Sequence, residues 1–195
     1  MAIVLFVIAL IGVVVILVGR QSTRAGYESA PYKVVRSDGK FEVRDYPAMT
    51  VVETTMARDG NHADGSFMRL FGFITGGNEA KEKIPMTTPV FMSDSDSHRT
   101  MAFVMPAKLN TQRVPRPSDD SVKVRDLAAG RFAVMSFSGG RNAKREAETL
   151  GRLKTWMAAN GLEASSPPVY GYFDPPWTPA FLRRNEVMLR TEAGR

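Results

Sequence analysis

Val43-Arg44-Asp45-Tyr46-Pro47-Ala48 returns 81 positions later (43 to 124) as Val124-Arg125-Asp126-Leu127-Ala128-Ala129, and this recurrence decides how the chain folds. Asn61 and Asn142, each ahead of a helical stretch, stand at the same displacement. Working outward, Phe41 to Tyr46 and Met49 to Met56 alternate as half-buried strands do, with Pro47 between them. Asn61 to Thr75 reads as a helix, with Asn61 or Asp64 as N-cap and Gly76-Gly77 as its stop. Strands at Met86 to Met92 and Met101 to Met105 follow, joined by the polar loop Ser93 to Arg99. In the second half Arg131 to Phe137 takes the part of Val51 to Met56, and Asn142 to Asn160 is a helix ended by Gly161. Pro168-Val169 stands roughly where Pro89-Val90 stood, and Glu186 to Arg190 closes the series. A unit of two strands, a helix and two strands cannot bury its apolar surface alone, whereas two copies together can. The expected fold is α+β, with duplicated β-α-β units forming an antiparallel barrel-like sheet and two flanking helices.

The N-terminus is of a different character. From Met1 to Val18 there is no charged, amide or hydroxyl side chain. At ~1.5 Å per residue this run is roughly 27 Å long, about the hydrocarbon thickness of a bilayer. It lacks the basic n-region and small-residue cleavage site of a secretory signal. The organisation expected is a transmembrane anchor at 1–19, a polar tether at 20–31 and one domain at 32–191. No Lys or Arg precedes the apolar run, while Arg20, Arg24, Lys33 and Arg36 follow it. By the positive-inside rule, a single-pass protein with a cytoplasmic domain is favoured.

The 195 residues contain no cysteine, which excludes disulfides, thiolate catalysis and zinc-thiolate sites. The net charge of +6 comes from Lys and Arg scattered among Asp and Glu, unlike the concentrated basic face that nucleic-acid binding needs. Of the two histidines, His98 lies in a polar turn, and His62, followed by Ala63-Asp64, is a helix-start residue or a metal ligand. There is no phosphate-binding glycine loop, nucleophile elbow or two-histidine metal motif. The carboxylate pairs Asp119-Asp120 and Glu146/Glu148 read as solvated charge, so no enzyme is indicated.

The first helix is more specific. Phe67, Leu70, Phe71 and Ile74 follow core spacing. Met68, Arg69, Gly72 and Phe73 lie around the other side, which should have been polar. Such a face suits a flat apolar ligand with an acid group, Gly72 letting a ring approach closely; loops covering it as a secondary core would equally account for it. Lys81 and Lys83 stand just beyond, within reach of carboxylates.

Three stretches carry a resemblance: Phe71 to Gly77 running into Lys83-Ile84-Pro85-Met86-Thr87-Thr88-Pro89-Val90, then Asp174-Pro175-Pro176-Trp177-Thr178-Pro179, then Arg183-Arg184-Asn185-Glu186-Val187-Met188-Leu189. In that order and spacing the chain resembles the SOUL heme-binding family over about residues 32 to 191. The resemblance implies a duplicated αβ barrel-like fold, shared with bacterial effector-binding domains, and binding of heme or another tetrapyrrole; without a strong axial ligand, the cofactor is expected to be exchangeable. It places the pocket on the outward face of the first helix, at Met68, Gly72 and Phe73, with Trp177 as a lid. Some members carry a proposed iron-ligating histidine directly after the arginine matching Arg44; here that residue is Asp45, and Asp126 repeats it. One relative has a lysine where Phe73 stands, so propionate pairing falls to Arg69 or the nearby lysines. The same groove in an effector-binding or scaffold module would take another amphipathic ligand or a protein partner.

Overall fold

The computed structural model describes residues 26–57, 64–94, 99–109 and 113–192. The expected transmembrane helix at 1–19 and both histidines lie outside the described residues. Among the described residues no helix is long and apolar enough to cross a membrane. In chain order the elements are β1 (Glu28–Ser29), β2 (Lys33–Asp38), β3 (Phe41–Tyr46), β4 (Met49–Met56), α1 (Ser66–Ile74), β5 (Thr87–Thr88), β6 (Val90–Asp94) and β7 (Arg99–Val104). There follow β8 (Val122–Leu127), β9 (Gly130–Phe137), α2 (Ala143–Ala159), β10 (Val169–Tyr172), a 3₁₀ turn (Ala180–Leu182) and β11 (Asn185–Arg190).

Nine strands form one sheet in the order β2-β3-β9-β11-β10-β6-β7-β4-β8. Its neighbours are antiparallel throughout. The duplication is written into this order. Exchange β3 with β8, β4 with β9, β6 with β10 and β7 with β11, and the order from β3 to β8 reads backwards onto itself. A pseudo-twofold axis therefore passes between β6 and β10, which pair with each other. The displacement of 81 carries β3 onto β8 and β4 onto β9 residue for residue.

The two copies interlock. β3 pairs with β9, and β4 pairs with β8, so the first strand of each copy lies against the second strand of the other. Only Pro47-Ala48 and Ala128-Ala129 join strands on opposite halves of the sheet, so the sheet must curl for these links to reach. Asp45 and Asp126, the repeated aspartates, hold equivalent places in this exchange. Asp45 accepts from Arg131 Nε and Nη2 at 2.7 and 2.8 Å, and Asp126 accepts from Thr50 Oγ1 at 2.8 Å.

Alternation along the strands divides the core in two. On the outer face α1 packs over Val52, Met101, Phe103 and Val122, and α2 over Ala133, Met135, Val187 and Leu189. Both helices share that face because Tyr170, packed in the α2 cluster, is paired with Met92 of the α1 cluster. The inner, concave face carries Tyr46, Val51, Phe91, Ala102, Val104, Val134 and Met188.

β2 was not signalled by the sequence, because every residue in this edge strand is exposed and no buried stripe marks it. Inside the expected tether, Glu28–Ser29 runs parallel to Thr87–Thr88, and Ala30 N donates to Thr88 O at 2.7 Å. The packing of the domain therefore begins before residue 32. α2 matches its expected limits, with Asn142 Oδ1 accepting from Arg145 N at 3.0 Å and Gly161 at φ +66° beyond its end.

Candidate functional site

α1 is set at both ends by side chains. Asp64 accepts from Ser66 N at 2.9 Å and Ala57 N at 2.6 Å, tying the helix start to the end of β4. Burial alone would raise the Asp64 pKa, but these bonds and the charge of Arg69 hold it below the usual carboxylate range. The N-cap position itself is Gly65, at φ +78°. At the other end Asn78, fully buried, donates through Nδ2 to the carbonyls of Phe73 and Glu82 at 3.0 and 2.8 Å. Gly77 N reaches Gly72 O at 2.8 Å, and a Cβ on Gly77 would stand 2.7 Å from that oxygen.

The helix is rotated by roughly 60° from the face expected, at 100° per residue. Ser66, Leu70, Phe73 and Ile74 are its buried residues. Phe73, expected on the ligand face, is only 2 % exposed and belongs to the core. Phe67 and Phe71, expected in the core, are 41 % and 40 % exposed. Small Ser66 turns to the sheet beside Met101 (Oγ to Sδ 3.8 Å), and the stripe it heads is the one the helix buries. Ser66, a small residue at the head of that stripe, is the signal that bulk alone conceals.

Two of the expected ligand-face residues remain outward: Met68 is 64 % exposed, and Gly72 is half-buried with open space where a Cβ would lie. Phe67 and Phe71 extend this face as a near-parallel pair, centroids 5.9 Å apart and 14° between planes, with Phe67 also edge-on to Phe103 at 5.3 Å. Arg69 does not project to this face. Its Nε donates to Thr54 Oγ1 at 3.1 Å, Nη1 to Asp64 O at 3.0 Å and Nη2 to Thr55 O at 2.7 Å, which clamps the helix to β4. Pairing with an acid group thus falls away from Arg69; Lys81 and Lys83 are exposed.

Trp177 is 66 % exposed in the turn between β10 and β11, followed by Phe181 and Leu182 at 77 % and 57 %. Arg183 braces this turn by donating to the carbonyls of Thr178 and Pro176. The turn lies at the end of the sheet where the described chain begins. Glu28–Ser29 flanks Thr87–Thr88, and Val90 just after pairs with Tyr172, while Arg184 Nη2 donates to Tyr32 Oη at 3.1 Å. Among the described residues no group of acidic or histidine side chains could hold a metal ion.

A curled antiparallel sheet built from two interlocked copies, with an apolar helix face left open to solvent, defines a binding module of the duplicated αβ barrel-like class. The chain belongs to the SOUL heme-binding protein family, whose model matches residues 27–190. It is a distant homologue of heme-binding protein 2, being 30 % identical over 171 residues to the Mus musculus protein, with 82 % of each chain covered. Among solved structures, a hydrolase from Listeria innocua superposes with a TM-score of 0.58 at 14 % identity, covering 81 % of this chain and 94 % of that one. The C-terminal domain of EcmrR superposes at 0.55 with 11 % identity, covering 83 % and 98 %. At these identities the two structures share the fold alone.

Proposed function

We propose that the protein binds heme or another tetrapyrrole on the outward face of α1, without a strong axial ligand. The observation that carries this reading is the open cluster of Phe67, Met68 and Phe71 beside the bare backbone of Gly72, a flat apolar surface of the kind a porphyrin ring covers. Family membership agrees with it. With Arg69 committed to the protein, propionate recognition is assigned to Lys81 and Lys83, and Trp177 to a lid. The role is binding and not catalysis, and a ligand held by apolar contact exchanges.

Residues 1–19 serve in this reading as a membrane anchor, with the domain on the cytoplasmic side. The apolar run, the basic residues after it and the exposed Trp177, Phe181 and Leu182 at the end where the chain enters all support a domain held against a lipid source. Hemin titration of the full chain, followed at the Soret band, tests the site. Saturable binding weakened at least tenfold by Met68→Glu and Phe71→Glu supports it, and a titration indifferent to both defeats it. Deleting Met1 to Arg20 should slow loading from porphyrin-containing vesicles more than loading from solution; equal slowing would remove the anchor from ligand delivery.

A further inference from the structure

The concave face of the sheet holds a second opening, on the side of the sheet opposite α1. A cavity of about 360 Å³ is floored and walled by Tyr46, Phe91, Phe132, Val169 and Met188, with Ala102 at its base. Its volume sits at the lower end of the range for small-molecule sites, ~300–1,000 Å³, and its walls are mainly apolar with a few polar groups at the rim. Ala128, in the link from β8 to β9, contributes to its lining.

The rim is charged, and its balance is positive. Arg125, with its side chain 56 % exposed, donates to Glu53 at 2.8 Å through one nitrogen and keeps further N–H donors on a guanidinium that carries five. Arg190 donates to the carbonyls of Ala129 and Ala128 at 3.0 and 2.8 Å and lies over the Phe132 ring at 4.9 Å. These neutral acceptors fix its position and leave its charge uncancelled. Glycine at 130 makes that position possible, since a Cβ there would come within 2.1 Å of Arg190 Nη1. Two guanidiniums and one carboxylate around an apolar well favour a ligand with one negative charge.

We infer that this cleft is a separate binding site for a compact amphipathic acid, an aromatic or short aliphatic group in the well with its anionic head at Arg125 and Arg190. The inference is independent of the α1 surface, which lies across the sheet from it.

Calorimetric titration of the full chain with 2-naphthoate, and with 2-naphthylmethylammonium as its cationic counterpart, tests this. One equivalent of naphthoate should bind saturably, and the ammonium compound at least about fivefold more weakly. Arg125→Glu should weaken naphthoate by about fivefold while leaving the fold unchanged, because Arg125 is a rim side chain. Val169→Trp and Leu127→Trp fill the well from different strands, and each should abolish binding while circular dichroism reports a folded protein. Met68→Glu should leave naphthoate affinity intact. The inference is overturned if folded forms of both filling variants still bind, if Met68→Glu removes binding, or if the cation binds as well as the anion.

Discussion

Arg44 and Glu186, 142 positions apart, meet end to end inside the sheet: Nη1 to Oε2 at 2.7 Å and Nη2 to Oε1 at 3.0 Å, with the two side chains 1 % and 0 % exposed. Around them Arg44 Nε donates to Glu42 at 2.6 Å, Nη1 donates to Tyr46 Oη at 3.1 Å, and Tyr32 lies 4.1 Å from the guanidinium. Burial works against the Arg44 charge, but the hydrogen bonds and attraction of Glu186 outweigh it and hold the proton more tightly than usual. Burial pushes the Tyr46 phenol up to about 12, so it stays a neutral partner. Removing Glu186 leaves the buried Arg44 with Glu42 as its one charged partner, and removing Arg44 leaves Glu186 to Arg184, whose Nε donates to it at 2.9 Å. Arg44→Met or Glu186→Gln should each lose about 1.5–3 kcal/mol in urea unfolding, and Arg44→Met with Glu186→Leu should lose less than the sum of the two. Additive losses in the double variant would contradict this.

At Asp45, the hydrogen bonds from Arg131 lower the carboxylate pKa. A folded-state value below the unfolded one of about 3.9 means that its stabilisation is present above that pH and vanishes as pH falls through the lowered value. The melting temperature of Asp45→Asn should therefore lie below that of the parent at neutral pH and converge with it as pH falls past the ordinary carboxylate range. A constant offset down to pH 2 would show that the charge is irrelevant. Asp45→His should create no heme ligand, since this position faces Arg131.

Gly72 within α1 and Gly77 just beyond its end separate stability from binding. Open space around Gly72 means that Gly72→Ala should stabilise the helix by about 0.5–1 kcal/mol. Gly72→Leu should keep the melting temperature yet lower hemin affinity, because its side chain stands where a ring would lie. Gly77→Ala, with a Cβ 2.7 Å from a backbone oxygen, should cost about 1–3 kcal/mol. Comparable melting temperatures for the two alanine variants would refute this assignment.

Arg69→Ala should lower the melting temperature by releasing α1 from Thr54, Thr55 and Asp64, and should change hemin affinity by less than about twofold. Phe73→Glu should prevent folding, since it places a charge in the core, whereas Met68→Glu should leave the melting temperature within a few degrees. Intact folding of the Phe73 variant would return that residue to the surface.

Much of the fold was legible because strand alternation and the repeated Val-Arg-Asp segment are properties of neighbours in sequence. Phe41–Tyr46 and Met49–Met56 were read to the residue. β2 was illegible because an exposed edge strand has no apolar alternation. The site was half legible. Periodicity found the helix and its surplus of apolar residues, but the choice of buried face shows in the contact of Ser66 with Met101, which is tertiary. Arg69 was read as a ligand contact because a lone arginine on a helix does not disclose the carbonyls of Thr55 and Asp64 it meets in space. The Arg44–Glu186 pair left no trace in the local pattern for the same reason.

The backwards-reading strand order leaves each half of the sheet incomplete by itself. A chain carrying either half alone would present β3 without β9, or β8 without β4, and a second copy of that half is the natural supplier of the missing strand. The architecture is thus a homodimer written into one polypeptide. Fusion frees its halves from having to match: α1 turns Phe67, Met68 and Phe71 outward, while α2 turns out Glu148, Arg152 and Lys154. One scaffold can then carry a single specialised surface and keep its twin soluble.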